Sequence, residues 1–462
     1  MIDGSSRKKY TDLLLCLLLT ALGGIFLLWY IRAAGADVVY SDYIRIVEEY
    51  LPDALDPQKL LVPDILTRIP ATFLQRFINV ELFSYSVTFD RVCSALGITG
   101  CALMTALYMH KERMSALWFI PIATVTFSLN KWEIILNGTA WAHTVAFAMF
   151  FLNYLLLDSY YEGRGSKWGR TALCIMPFII LLFSGEYIAS YAAVMAVAYI
   201  FCMLEQRDRI YIRGLVCTLA ALGLYLLSRH FAVWEHAGAT DMSLMEVVDE
   251  DPLFIPRLFI KSFAGAVLGQ QAMADFYGPA MPLSDSWVLL IGVLVIGAYI
   301  FAIALYIRHS LWKRSIYPMI LMLSGGFNHV LVTASRWIFL NDDYGLSSRY
   351  GAQFMIGIIG ILLTFALYFK VRDKEKKRCG ALMMILTVLI FAGSILTTRA
   401  ELAIVPYREQ NYEALRQAVL DYRSYEPEEL AGLLEWGKSE DTMYRALEIL
   451  EDNRLNVFSG LD

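Results

Sequence analysis

The sequence has little of what usually declares a chemistry. Its seven cysteines (Cys16, Cys93, Cys101, Cys174, Cys202, Cys217 and Cys379) lie mostly inside apolar runs, with no CxxC or Cys/His spacing. They read as small core or lipid-facing residues, which excludes a disulfide framework and a zinc site. There is no G-x-S-x-G elbow, no phosphate-cradling Gly-rich loop and no H-E-x-x-H pair. Without a nucleotide-binding domain, a nucleotide-sugar enzyme and an ATP-driven pump are both disfavoured. No basic stripe marks a nucleic-acid partner. Charge is scarce as well: 18% of residues are charged, against roughly 25% in an ordinary soluble domain.

What fills the space is grease. Of 462 residues, 58% are hydrophobic and 14% aromatic, and the mean hydropathy is +0.51. The apolar residues fall in repeated continuous runs of about 20, enough to cross a hydrocarbon core of about 30 Å as helices. Strict alternation, the mark of a barrel strand, is missing. The expected fold class is an all-α polytopic membrane protein with about eleven transmembrane helices. The runs are about 13–31, 92–109, 115–129, 139–157, two more flanking Ser184–Tyr187, then 214–228, 287–307, 318–339, 352–369 and 381–397. The first exceeds a signal-peptide core of roughly 7–15 residues and reads as a retained helix.

Basic clusters set the orientation. RKK, HKER, RGSKWGR, RDRIYIR, RHSLWKR and KVRDKEKKR fall on alternate connections, which places them and the amino terminus in the cytoplasm. Two long loops, 35–90 and 229–285, then share the outer face with a tail from 399 to 462. The expected organisation is a transmembrane domain over 1–398 and an extracytoplasmic helical appendage over 399–462. In that appendage Tyr412, Leu415, Val419 and Tyr422 recur at helical spacing. Pro427 suits a helix start, and Ser439 caps a last helix carrying Met443, Leu447 and Leu450.

Ionisable groups in or beside a membrane are costly, so each is a candidate site. Asp42, between Tyr40 and Tyr43 in the first outer loop, is placed either as a general base at a membrane mouth or as the cap of the helix YIRIVEEYL. Arg349, in SSRYG beside Tyr350, has the planar fork that suits phosphate; the alternative is a snorkelling interfacial arginine. Arg336 is deeper and is either a further phosphate contact or a structural partner of Glu186 or Asp342. The corner NKWEIILNGTAWAH offers Lys131, Trp132, Glu133 and Asn137, an aromatic face with polar neighbours suited to a sugar; an aromatic belt would use the same residues. His143 reads as a satisfied core residue. The stretch IPRLFIKSFAGAVLGQQ, with Arg257 and Lys261, reads as an interfacial helix lining a lipid entrance, where Lys261 meets a phosphate. Glu246, Asp249, Glu250 and Asp251 form either a divalent-cation site or a solvated acidic turn. No cofactor is otherwise expected.

The layout resembles the GT-C class of integral-membrane glycosyltransferases. The features that carry the likeness are the first outer loop with VVYSDY, the paired long outer loops, the late Ser348-Arg349-Tyr350, and the outer C-terminal appendage. The KWEIILNG corner and the closing NRLNVFSG are similar to segments of bacterial membrane proteins of this type. The resemblance implies transfer of a sugar from a polyprenyl phosphate to a cell-envelope glycan or lipid acceptor, on the outer face of a bacterial cytoplasmic membrane. It implies Asp42 as the acidic residue of the first loop and Arg349 as a contact to donor phosphate. The frequent acidic pair is absent, since Tyr43 follows Asp42. The competing expectations are a flippase for a lipid-linked oligosaccharide, with an inverted repeat and midplane sites, and a non-catalytic subunit of an envelope-assembly complex.

Overall fold

The computed structural model describes residues 4–59, 69–231, 238–371 and 379–460, with the side chains of 4–9 left aside. Parts of both long loops, the RKK side chains and most of the KVRDKEKKR cluster therefore lie outside the described residues. Helices account for the fold and no strand occurs among the described residues. In chain order they are α1 (Gly4–Ala34), α2 (Asp42–Tyr50), α3 (Ala71–Phe83), α4 (Val87–Lys111), α5 (Phe119–Phe127), α6 (Trp132–Leu136) and α7 (Trp141–Tyr161). There follow α8 (Lys167–Ser184), α9 (Tyr187–Gln206), α10 (Arg209–Arg229), α11 (Leu244–Glu250), α12 (Phe254–Gly265), α13 (Gln270–Ala274) and α14 (Asp285–Arg308). The last are α15 (Tyr317–Arg336), α16 (Gly351–Val371), α17 (Gly380–Ala403), α18 (Val405–Leu420), α19 (Pro427–Leu433) and α20 (Glu440–Asp452).

Among the described residues, ten helical segments are long and apolar enough to cross a membrane, so the protein is a polytopic all-α membrane protein. The ten differ from the expected eleven by α15. That helix has 20 residues but carries Asn328 and His329 in its middle, both fully buried. The lipid-type surface is plain on α1, α14 and α17, where Leu14, Leu18, Leu294, Ile300, Leu389 and their neighbours are exposed. A soluble protein would cover such contiguous faces.

The middle of the bundle is α16. Every residue from Gly351 to Tyr368 is buried, the pattern of a helix that is apolar all round and enclosed by others. It packs on α15, α5, α14 and α17. Close approach needs small residues here: a Cβ on Gly325 of α15 would lie 2.5 Å from Cα of Gly357 on α16, and one on Gly357 would run into the Tyr299 hydroxyl of α14.

The two ends of the bundle differ. At one, Lys111 holds Asp158, and Glu112 is ringed by Arg314 at 2.7 Å, Arg164 at 3.6 Å and Lys370. These bonds tie together the connections that carry the basic clusters. At the other end, α2 and the turn after α3 meet the C-terminal segment that carries α18–α20. Ser41 N–H donates to Leu434 O at 2.7 Å, and Asn456 N–H to Ser84 O at 2.6 Å. The Asn456 amide bonds Val39 N–H and Tyr85 O, and Arg445 pairs with Glu48 at 2.9 Å. Tyr412, Leu415, Val419, Met443, Leu447 and Leu450 are on the buried faces of α18 and α20. The C-terminal helices are thus seated on the first long loop.

Candidate functional site: a cavity between the bundle and the C-terminal helices

A cavity of about 400 Å³ opens at that second end. One wall comes from the bundle: Trp132, Glu133 and Asn137 from the corner after α5, and Arg349 from the turn that starts α16. The other comes from Tyr407, Arg408, Asn411 and Tyr412 on α18, with Glu435 beyond α19 and Tyr40 from the first loop.

Packing explains why the first wall exists. The helix α5 stops at Ser128, whose side chain accepts from Asn130 N–H at 3.5 Å to start a short 3-10 turn. The corner 128–137 then lies directly on the start of α16, where a Cβ on Gly351 would collide with Asn130 O. That contact brings Glu133 to Arg349 across 216 residues of sequence. The Arg349 guanidinium bonds one Glu133 oxygen, and Ser348 Oγ donates to the other at 3.2 Å. Asp42 sits at the first residue of α2, exposed, and its charge acts on Arg349. The Asn137 side-chain oxygen accepts from Thr139 Oγ1 at 2.7 Å, which fixes the amide at the cavity edge.

The second wall is equally held. The Arg408 guanidinium lies over the Trp132 ring, 3.3 Å from its centroid, and is anchored by the buried Glu401 and by Tyr30 Oη at 3.3 Å. Tyr40 and Tyr412 share a hydroxyl–hydroxyl bond of 2.9 Å. Behind Tyr412, at 5.2 Å from its ring, is the fully buried Arg91. Arg91 donates to Leu136 O and Ala36 O, both at 2.6 Å, and its Nη2 has no hydrogen-bond partner among the described residues. Burial holds the Tyr40 phenol well above its ordinary value, so it stays a neutral donor.

Four of the residues singled out from sequence, Trp132, Glu133, Asn137 and Arg349, therefore line one cavity, with Asp42 in electrostatic range of Arg349. The others go elsewhere. Lys131 is buried, and its ammonium donates to Val125 O, Thr126 O and Ser128 O at 2.9–3.1 Å, closing the end of α5. It does not reach the cavity, because three orphan carbonyls at the helix end hold it. Lys261 sits between Asp285, Asp342 and Asp343 at 2.6–2.8 Å. Burial works against its charge, but those three carboxylates outweigh it and raise its pKa. A lysine so engaged offers no free proton to a phosphate. The helix α12 packs on α14 and on the turn 342–346. Tyr350 is buried with the Arg336 guanidinium 5.7 Å from its ring. Asp342 pairs with Arg257 and Lys261, and Glu186 approaches His143 at 3.9 Å, so neither expected carboxylate pairs with Arg336.

Three smaller expectations meet the structure in detail. Asp42 does not cap α2; Ser41 holds that position, without a side-chain cap bond. Ser439 likewise precedes α20 without one. In the acidic turn, Glu246 closes a capping box with Ser243, and Asp251 bonds Arg257. No group of three or more metal-ligating side chains stands together among the described residues. Sequence reasoning missed Arg91, Arg408, Asn411 and Glu435. No local pattern marks them, and only tertiary packing brings them to the cavity or behind it.

Fold and site together define a polytopic helical membrane protein with a polar, aromatic-walled cavity at one end of its bundle. No protein-family profile, curated protein or solved structure matches the chain in comparison searches.

Proposed function

We propose that this protein is a membrane glycosyltransferase that moves a sugar from a polyprenyl-phosphate donor to a glycan or lipid acceptor of the cell envelope. The observation that supports it most is the cavity in which Trp132, Glu133, Asn137 and Arg349 meet, with Asp42 in electrostatic range, at one end of the bundle. In this reading α15 is the eleventh span, the basic end faces the cytoplasm, and α18–α20 lie outside. A transporter needs a site near the membrane midplane; a cavity at one end favours transfer.

The chemistry follows from the groups present. Arg349 holds the donor phosphate, exchanging Glu133 for a second charge-assisted partner. Glu133 and Asn137 bond the sugar hydroxyls. The acceptor hydroxyl oxygen bonds to the anomeric carbon while Asp42 takes its proton. The bond from that carbon to the phosphate oxygen breaks, and polyprenyl phosphate leaves with the electron pair under the Arg349 charge.

The test is mass spectrometry of lipids and glycans from cells with wild-type protein, Asp42→Ala, or none. The reading expects one glycan product present only with wild type, and loss of it in the variant at unchanged membrane abundance. Identical glycan profiles in all three would defeat it.

A further inference from the structure

The two walls of the cavity differ in how their carboxylates are engaged. On the bundle wall, Glu133 is held by Arg349 and Ser348. Behind the C-terminal wall, Glu401 is committed to Arg408. Glu435, which lines that wall, is exposed and makes no ion pair or side-chain hydrogen bond among the described residues.

Glu435 follows the end of α19, and one hydrogen bond joins this turn to the first loop, Ser41 N–H to Leu434 O at 2.7 Å. Beside Glu435 the cavity offers the Asn411 amide and the Tyr407 side chain, which is 72% exposed. A free carboxylate, an amide and an open aromatic face are the set that takes a polyhydroxylated ring: hydroxyls donate to the carboxylate, and the ring's C–H face lies on the aromatic.

We infer that Glu435, Asn411 and Tyr407 form an acceptor subsite that takes an uncharged glycan and rejects an anionic one. This rests on the glycosyl-transfer reading and assigns the acceptor to the C-terminal wall, the donor to the bundle wall. An unpaired negative charge facing the acceptor disfavours uronate or phosphate groups there, while neutral hydroxyls gain charge-assisted bonds.

Binding tests it without turnover. Full-length protein in nanodiscs is titrated with neutral hexose and N-acetylhexosamine tetrasaccharides, with a tetragalacturonate, and separately with a polyprenyl phosphate. A neutral tetrasaccharide should bind, tetragalacturonate should not, and Glu435→Gln should weaken the neutral ligand by about tenfold or more. Glu435→Lys should gain tetragalacturonate binding, a result that misfolding cannot produce. Binding of no neutral tetrasaccharide, equal binding of the uronate, or an unchanged Glu435→Gln overturns the inference. If tetrasaccharides bind as expected and polyprenyl phosphate does not, the donor reading fails while the glycan subsite stands.

Discussion

Replacing Lys261 with methionine separates a structural cation from a phosphate ligand. Its ammonium bonds Asp285, Asp342 and Asp343 at 2.6–2.8 Å and so joins α12, α14 and the turn 342–346. The three bonds are unequal. Asp285 and Asp343 are more than half exposed, so solvent screening limits each to about 0–1 kcal/mol. Asp342 is 18% exposed, where a bond between charged groups contributes about 1.5–3 kcal/mol. Arg257, 2.6 Å from Asp342, remains in the variant and limits the loss. The local cost is then about 1.5–4 kcal/mol, a fall of roughly 10- to 800-fold in the protection of amides that open with this cluster. Hydrogen–deuterium exchange over α12 and the turn 342–346 reads it directly, with polyprenyl-phosphate binding measured alongside. Unchanged exchange together with lost phosphate binding would refute the reasoning and restore Lys261 as a ligand.

The same cluster has a pH signature. Burial opposes the charge of Asp342, but Lys261 and Arg257 outweigh it and depress its pKa. The stability it contributes is present above the ordinary aspartate value of about 3.9 and is lost as pH falls through the depressed folded value. Lys261 is raised, so its share is present below about 10.4 and is lost as pH rises through the folded value. Exchange protection of the turn should form a plateau between those limits, and a steep change near pH 7 would contradict this. Gly357→Ala should cost about 1–3 kcal/mol by overpacking, and Tyr299→Phe should restore part of it, since the added methyl meets the Tyr299 hydroxyl; thermal aggregation midpoints in detergent compare the three proteins. Lys131→Met should lower thermal stability by leaving the carbonyls of Val125, Thr126 and Ser128 unmet while donor binding in the folded fraction stays normal.

Much of the architecture was legible because lipid imposes long apolar runs that no local pattern disguises. The run 318–339 is legible too, but as α15 it is not among the ten spans of the described residues, and it carries Asn328 and His329 buried among other helices. The bundle wall of the cavity was partly legible: an indole beside a carboxylate and an arginine at a helix start are visible in sequence, though their meeting depends on the corner after α5 lying on α16. Lys131 and Lys261 lie away from the cavity for a shared reason. Sequence displays a charge but not its partners, and here those are three helix-end carbonyls and three carboxylates. The C-terminal wall was not legible at all. Arg408 and Asn411 sit on an ordinary polar helix and Glu435 in the turn after α19, and only the seating of α18–α20 on the first loop turns them toward the cavity.

Glycosyl transfer at this cavity requires above all that the bundle wall receive a lipid-linked phosphate. Native mass spectrometry of wild-type and Arg349→Gln protein in nanodiscs, titrated with a polyprenyl-phosphate sugar, addresses that requirement most directly. One bound lipid per wild-type chain, weakened by about tenfold or more in the variant, is the predicted result; equal binding by both proteins, or binding by neither, contradicts it.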